Sequence, residues 1–291
     1  MTTIFAANDF SKIARFGGIE GAFQLLTTSV TLASHPDYLI TFHQAGARRS
    51  KVCLVTFGGQ PSDLTPSGFG TEFAAKNGWD SIYVAQRYGT QYQGLSIDAF
   101  KAAVAPIIRR RNVVCYGPSL GGYAAFYYGG SINARIIGGA PMFPAWPAFA
   151  NKAYAGLQIS HEDLAAVPKS SKSPVAIFDP TLPRDLRMVE EMLLPAYPNL
   201  RQVRYDGSGH SVLITLQQSR QLKPLILSLI RDDAVIPIEP LKEGDPIYHR
   251  TRGRLLRQSN PVAAITELRR SLELEPSRQT LAILLSILGR L

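Results

Sequence analysis

Apolar and polar positions first alternate with period two along this chain and then give way to unbroken apolar runs. "SVTLASH" and "DYLITFHQ" alternate on either side of a Pro-Asp turn signal, which predicts two early antiparallel strands. "KVCLVTF" (51–57) is almost continuously apolar and β-branched, as a strand buried on both faces should be. From there strand and helix patterns take turns. "GFGTEFAAKNG" predicts a helix closed by Gly78, "DSIYVAQ" a strand, "SIDAFKAAVAPIIRRR" an amphipathic helix, "NVVCYG" a strand, "GGYAAFYYGG" a helix and "ARIIGGAP" a strand. A proline-rich excursion, "APMFPAWPAF", leads into polar material up to residue 168. "SPVAIFD", "LRMVEEMLLPAYP", "LRQVRYDG" and "SVLITLQQSRQLKPLILSLIRD" then continue the series as strand, helix, strand and a last helical region. Such alternation predicts an α/β domain, a mostly parallel central sheet with helices on both faces.

That domain is expected to span residues 1–235. "DAVIPIEPLKEGDP" (233–246) has the proline and charge content of a linker, and the remainder to residue 291 carries three short amphipathic stretches and no strand pattern. Asn260-Pro261 starts the second stretch and Pro276 marks its end. Ala264, Leu268, Ser271 and Pro276 have the spacing of the second half of a tetratricopeptide repeat, with Gly253 near the small position of the first half. A lone repeat cannot bury its own face. This small all-α appendage is therefore expected to dock on the main domain, self-associate or bind a protein partner, or simply to cap the fold as a helical hairpin.

Composition narrows the function classes. Across 291 residues, 45% are hydrophobic and 18% charged, as in ordinary globular proteins. The formal net charge of +9 raises the question of an anionic partner. The excess is scattered, however, and its two dense clusters, Arg109-Arg110-Arg111 and His249 to Arg257, lack the interleaved aromatics of a nucleic-acid groove. No nucleic-acid partner is expected, and these clusters read as solvated helix ends. Cys53 and Cys115 lie in apolar runs and read as small buried hydrophobes rather than a disulfide or metal pair. "MTTIFAANDFSKIARFGG" lacks the pattern of a leader, and no run reaches the roughly 18 apolar residues of a membrane span, so a cytoplasmic location is the default expectation.

The candidate chemistry centres on "VVCYGPSLGGYAAFYYGG". Where a strand turns at once into a helix, the turn residue is forced into a strained conformation and its neighbours must lack bulk. Gly117-Pro118-Ser119-Leu120-Gly121 has that form, which makes Ser119 a candidate nucleophile. A serine hydroxyl needs an imidazole to take its proton. Among five histidines, His210 is the one that follows a strand in a glycine-lined loop, "DGSGH", and opens a helix. The third member should be a carboxylate between Ser119 and His210. Asp185, further along the loop "DPTLPRDL", is preferred, and Asp179 at the strand tip is the second candidate. Two backbone N–H groups must meet the developing oxyanion. Leu120 is expected to supply one, and Gly58-Gly59 after "VCLVTF" the other.

"VTFGG", "GPSLGGYAA", "ARIIGGAP", "AIFDPTLPRD" and "DGSGH", in this order and spacing from about residue 28 to 232, resemble the α/β-hydrolase superfamily. The "YG-x-S-x-GGY" elbow after "RYGTQYQG" is similar to bacterial hydrolase-like proteins linked with surface polysaccharide, some of which carry tetratricopeptide repeats. Pro118 and Leu120 depart from the commoner "GxSMGG", and the aspartate loop from "HGxxD". The resemblance implies an esterase or thioesterase that works through an acyl-enzyme on a small-molecule or glycan ester, with no cofactor or metal. An acyltransferase and a catalytically silent interaction module are the alternatives it leaves.

Overall fold

The computed structural model describes residues 28–289. The opening segment read above as lacking a leader lies outside the described residues. The strands are β1 (Thr28–His35), β2 (Tyr38–Gln44), β3 (Val52–Phe57), β4 (Asp80–Gln86), β5 (Asn112–Pro118), β6 (Arg135–Gly139), β7 (Val175–Phe178) and β8 (Arg201–Arg204). They form one sheet in the order β1-β2-β4-β3-β5-β6-β7-β8. β1 and β2 are antiparallel and join the sheet through an antiparallel β2–β4 pair, whereas β3, β4, β5 and β6 pair in parallel. The two kinds of pattern in the sequence correspond to these two pairings: the alternating hairpin is half-exposed, and Cys53, Leu54, Val55, Val114 and Cys115 in the continuous runs are wholly buried. Burial pushes the Cys53 thiol up to about 12 and raises that of Cys115 as well, so both behave as inert core.

By density of contacts the described chain forms two compact units, one running to Ala176 and including Arg187–Arg201, the other comprising Ile177–Leu186 and the residues from Gln202 onward. The first unit holds α1 (Thr71–Lys76), α2 (Ile97–Ile108) and α3 (Leu120–Gly129). Ser96 caps α2, its hydroxyl accepting from Ala99 N at 3.1 Å. Every residue of α3 is buried, and small residues let it lie close to β6: a Cβ on Gly129 would fall 2.7 Å from Ile136 Cγ1, and one on Gly138 of β6 would fall 2.7 Å from Phe126 Cε2 of α3. The basic triplet does not behave as a solvated end throughout. The Arg111 side chain is only 5% exposed and its Nη1 donates to Asp80 Oδ2 at 2.6 Å, while Asp80 also accepts from Ala45 N at 3.0 Å and Ser50 N at 3.1 Å. The reason is that Asp80 opens β4 inside the core, where a carboxylate persists only with a charged partner and hydrogen bonds.

α4 (Pro183–Met188) begins in the second unit, and its last two residues, a π turn over Val189–Leu193 and a short helical turn, Leu194–Ala196, fall in the first. The single helical region expected after "DGSGH" is two helices, α5 (Val212–Gln218) and α6 (Leu222–Arg231), because Arg220 takes φ 61° between them and breaks the ladder. The C-terminal stretches are α7 (Pro246–Leu256), α8 (Pro261–Leu274) and α9 (Arg278–Leu288). Asn260 caps α8 with Oδ1 3.1 Å from Ala263 N. Ala264, Leu268 and Ser271 are the buried positions of α8, and a Cβ on Gly253 would lie 2.6 Å from Leu268 Cγ, so α7 and α8 meet where Gly253 has no side chain. Among the described residues, no helix is long and apolar enough to cross a membrane.

Candidate active site

β5 runs into α3 through one residue, Ser119, whose backbone has φ 50° and ψ −119°. The glycines around it are enforced by backbone atoms. A Cβ on Gly117 would lie 2.2 Å from Gly121 O, and one on Gly121 would lie 2.3 Å from Phe57 O, so neither collision can be relieved by turning a side chain. Ser119 N–H donates to Gly139 O at 2.7 Å, and Ser119 O accepts from Tyr123 N at 3.1 Å and Met142 N at 3.0 Å. The turn is thus tied to the end of β6 and to the chain that follows it. The N–H of Leu120 belongs to the first turn of α3, where intrahelical acceptors are lacking.

Strand register brings the Gly58-Gly59 loop to this elbow. Thr56 pairs with Tyr116, so the residues just past β3 lie level with the end of β5, and a Cβ on Gly59 would sit 3.1 Å from Pro118 O. Gly58 N–H is directed at Val84 O (3.4 Å), and Gly58 O accepts from Tyr92 Oη at 2.9 Å. Sequence reasoning could not separate the two glycines; the sheet uses one of their N–H groups.

In the second unit, His210 follows Gly207 (φ 70°) and Gly209 (φ 75°), two left-handed positions that suit glycine. Asp179 organises this loop. Its Oδ1 accepts from Gly207 N at 3.1 Å, Thr181 N at 2.9 Å and Thr181 Oγ1 at 2.7 Å, and its Oδ2 accepts from Gly209 N at 2.6 Å. Asp185, in the first turn of α4, is the aspartate at the imidazole: His210 Nδ1 lies 2.9 Å from its Oδ2 and 3.0 Å from its Oδ1. A carboxylate only accepts, so Nδ1 carries the proton and Nε2 is the basic nitrogen of the ring. Asp185 is 4% exposed at its side chain and His210 39%.

The apolar excursion is partly core. Met142 and Phe143 are buried, with Phe143 stacked on Tyr123 at 4.4 Å, whereas Trp146 and Phe149 are half-buried beneath the Arg187 guanidinium, 5.6 and 5.7 Å from their centroids. Its one histidine, His161, has a role that the sequence did not signal. Nδ1 lies 2.9 Å from Tyr123 Oη, Nε2 lies 2.9 Å from Tyr92 O and 3.0 Å from Tyr128 Oη, and the ring stacks on Tyr127 at 3.9 Å. Burial holds this imidazole neutral, with its pKa lowered from 6.5 to about 4.

No protein-family profile matches the chain, and no curated protein matches it. Solved structures do. A glycosylation-associated protein complex from Streptococcus agalactiae matches with a TM-score of 0.52 at 14% identity, over 70% of this chain and 47% of that one. The acylaminoacyl peptidase of Pyrococcus horikoshii matches at 0.51 and 9% identity, over 82% and 46%, so the chain spans about half of each of these two. An esterase of Pyrococcus furiosus aligns at 0.48 and 14% identity, over 70% and 92%. Strand order, elbow and the first two of these neighbours agree that the chain carries the α/β-hydrolase fold.

Proposed function

We propose that the protein is a serine hydrolase of the carboxylic-ester type that works through an acyl-enzyme. The observation that carries this reading is the backbone of Ser119. Such a positive-φ backbone costs a residue with a side chain about 1–3 kcal/mol, and glycine would occupy it at no such cost, so the presence of serine there points to its hydroxyl. In the proposed reaction Ser119 Oγ attacks the ester carbonyl carbon while His210 Nε2 takes its proton. Asp185 holds the ring in the required tautomer and balances the imidazolium. The N–H groups of Leu120 and Gly59 receive the oxyanion; Gly58 is set aside because its own N–H is directed at Val84 O. Collapse expels the alcohol, which takes the proton from His210, and water then releases the acid by the same steps in reverse. Asp179 acts as a positioning residue through the loop that carries His210.

A sugar hydroxyl in place of water would make the same intermediate an acyltransferase. This second reading is favoured by the glycosylation-associated complex among the matched folds, and it agrees with a glycan ester as substrate. The region after residue 235 is read as a tetratricopeptide-like appendage to a hydrolase domain. Labelling with a fluorophosphonate probe tests the proposal: labelling that disappears in Ser119→Ala supports it, and folded protein that stays unlabelled refutes it. Product analysis with and without a sugar acceptor separates transfer from hydrolysis.

A further inference from the structure

A cavity of about 250 Å³ opens beside the His210 imidazole, lined by His210, Ser211, Arg254, Leu255, Arg257 and Gln258. Four of these residues belong to α7 and the turn that follows it, so the appendage supplies most of the wall. Gly209 makes that approach close, since a Cβ there would lie 3.1 Å from Leu255 Cδ2. Arg254 Nη2 reaches Ser208 O at 3.4 Å on the histidine loop itself.

The polar lining is rich in donors. Two guanidinium groups can only donate, the serine hydroxyl and glutamine amide can donate as well as accept, His210 contributes its imidazole, and no carboxylate lines the space. The other arginines of α7 are used differently. Arg252 pairs with Glu267 at 3.0 Å, and Arg250 is buried with Nη1 3.4 Å from Ser277 Oγ. Arg257 is exposed, and among the described residues no carboxylate pairs with it. An anion entering this cavity would therefore meet donors on several sides.

We infer that α7 forms an oxyanion-recognition subsite that selects esters, or acyl acceptors, whose alcohol portion carries a carboxylate or phosphate. The inference rests on the hydrolase reading for the role of His210. The imidazole that takes the nucleophile's proton returns it to the departing alcohol, so the alcohol oxygen comes within hydrogen-bond reach of Nε2. Substituents on the alcohol then lie by the imidazole, where Arg254 and Arg257 stand, whereas the acyl chain is held by the nucleophile and the oxyanion donors. Guanidinium matches both carboxylate and phosphate through paired N–H donors.

The test compares para-nitrophenyl acetate with the acetate of a carboxylated nitrophenol, which differs by one negative charge on the leaving group. The native protein should favour the charged ester by about tenfold in kcat/KM at low salt, a preference that shrinks as salt rises. Arg257→Glu should reverse the preference and Arg257→Lys should retain part of it; the position is exposed, so these variants fold. An unaltered preference in Arg257→Glu overturns the inference. Binding of the carboxylated nitrophenol to Ser119→Ala protein, followed by calorimetry, gives a readout that needs no turnover, and inorganic phosphate as competitor separates the two anion types. If Ser119 is unlabelled by fluorophosphonate and neither ester is cleaved, the hydrolase reading fails and binding alone decides the subsite. Salt-sensitive binding lost in Arg257→Glu sustains it, and equal or absent binding overturns it.

Discussion

His161 ties the excursion after β6 to α3, and protonating it should loosen that tie. In the folded chain Nε2–H donates to Tyr92 O and Nδ1 accepts from Tyr123 Oη, an arrangement for a neutral ring. The pKa is lowered from 6.5 to about 4 by burial, so the unfolded chain binds the proton more readily than the folded one. The stabilising contribution is thus complete above pH 6.5, falls as pH drops from there, and is lost once pH passes through the folded value near 4. That displacement corresponds to about 3 kcal/mol in full, of which about 2–3 kcal/mol separates neutral pH from about pH 4.5. Urea unfolding of native protein and His161→Gln at those two pH values measures it. Glutamine can still accept from Tyr123 and donate to Tyr92 without titrating, so the native protein should lose about 2–3 kcal/mol more than the variant on acidification. Equal losses would refute the argument and place the pH dependence in other groups.

Further outcomes follow from particular contacts. Asp185→Asn should lower kcat by roughly three to four orders of magnitude in a fluorogenic ester assay with little change in thermal unfolding, since the wrong tautomer of His210 is then favoured. Asp179→Asn should instead lower stability by about 2–3 kcal/mol and loosen the His210 loop in hydrogen exchange, because glycine N–H groups lose their charged acceptor. Arg111→Ala should cost about 3–5 kcal/mol by leaving the Asp80 carboxylate buried and unpaired, a loss seen equally at high salt in denaturant titrations. Gly253→Ala would gain up to about 1 kcal/mol of helix propensity on an exposed helix. Here its Cβ would meet Leu268 Cγ at 2.6 Å and Ala264 O at 3.0 Å, so a net loss of about 1–2 kcal/mol is expected in thermal unfolding.

Much of the architecture was legible in sequence because it follows from local rules. Period-two alternation and continuous apolar runs separated the β1–β2 hairpin from the parallel strands, since side chains alternate along a strand and a strand covered on both faces needs no polar side. The elbow was legible for a steric reason: Gly117 faces the backbone of Gly121 within the turn itself, although the crowding at Gly121, against Phe57 O of β3, comes from the sheet. The Asn260-Pro261 start of α8 was legible because it acts over three residues, Asn260 Oδ1 accepting from Ala263 N. The tertiary structure decided whatever depends on which distant groups meet. It brought Asp185 rather than Asp179 to His210, spent the Gly58 N–H on Val84, drew Arg111 into the core to face Asp80, and enclosed His161 among tyrosines. A pattern along the chain reports local sterics and the average burial of a face. A carboxylate's partner, a spent donor and a shifted pKa are set instead by distances of a few ångströms between residues tens of positions apart, and only the packed chain fixes those.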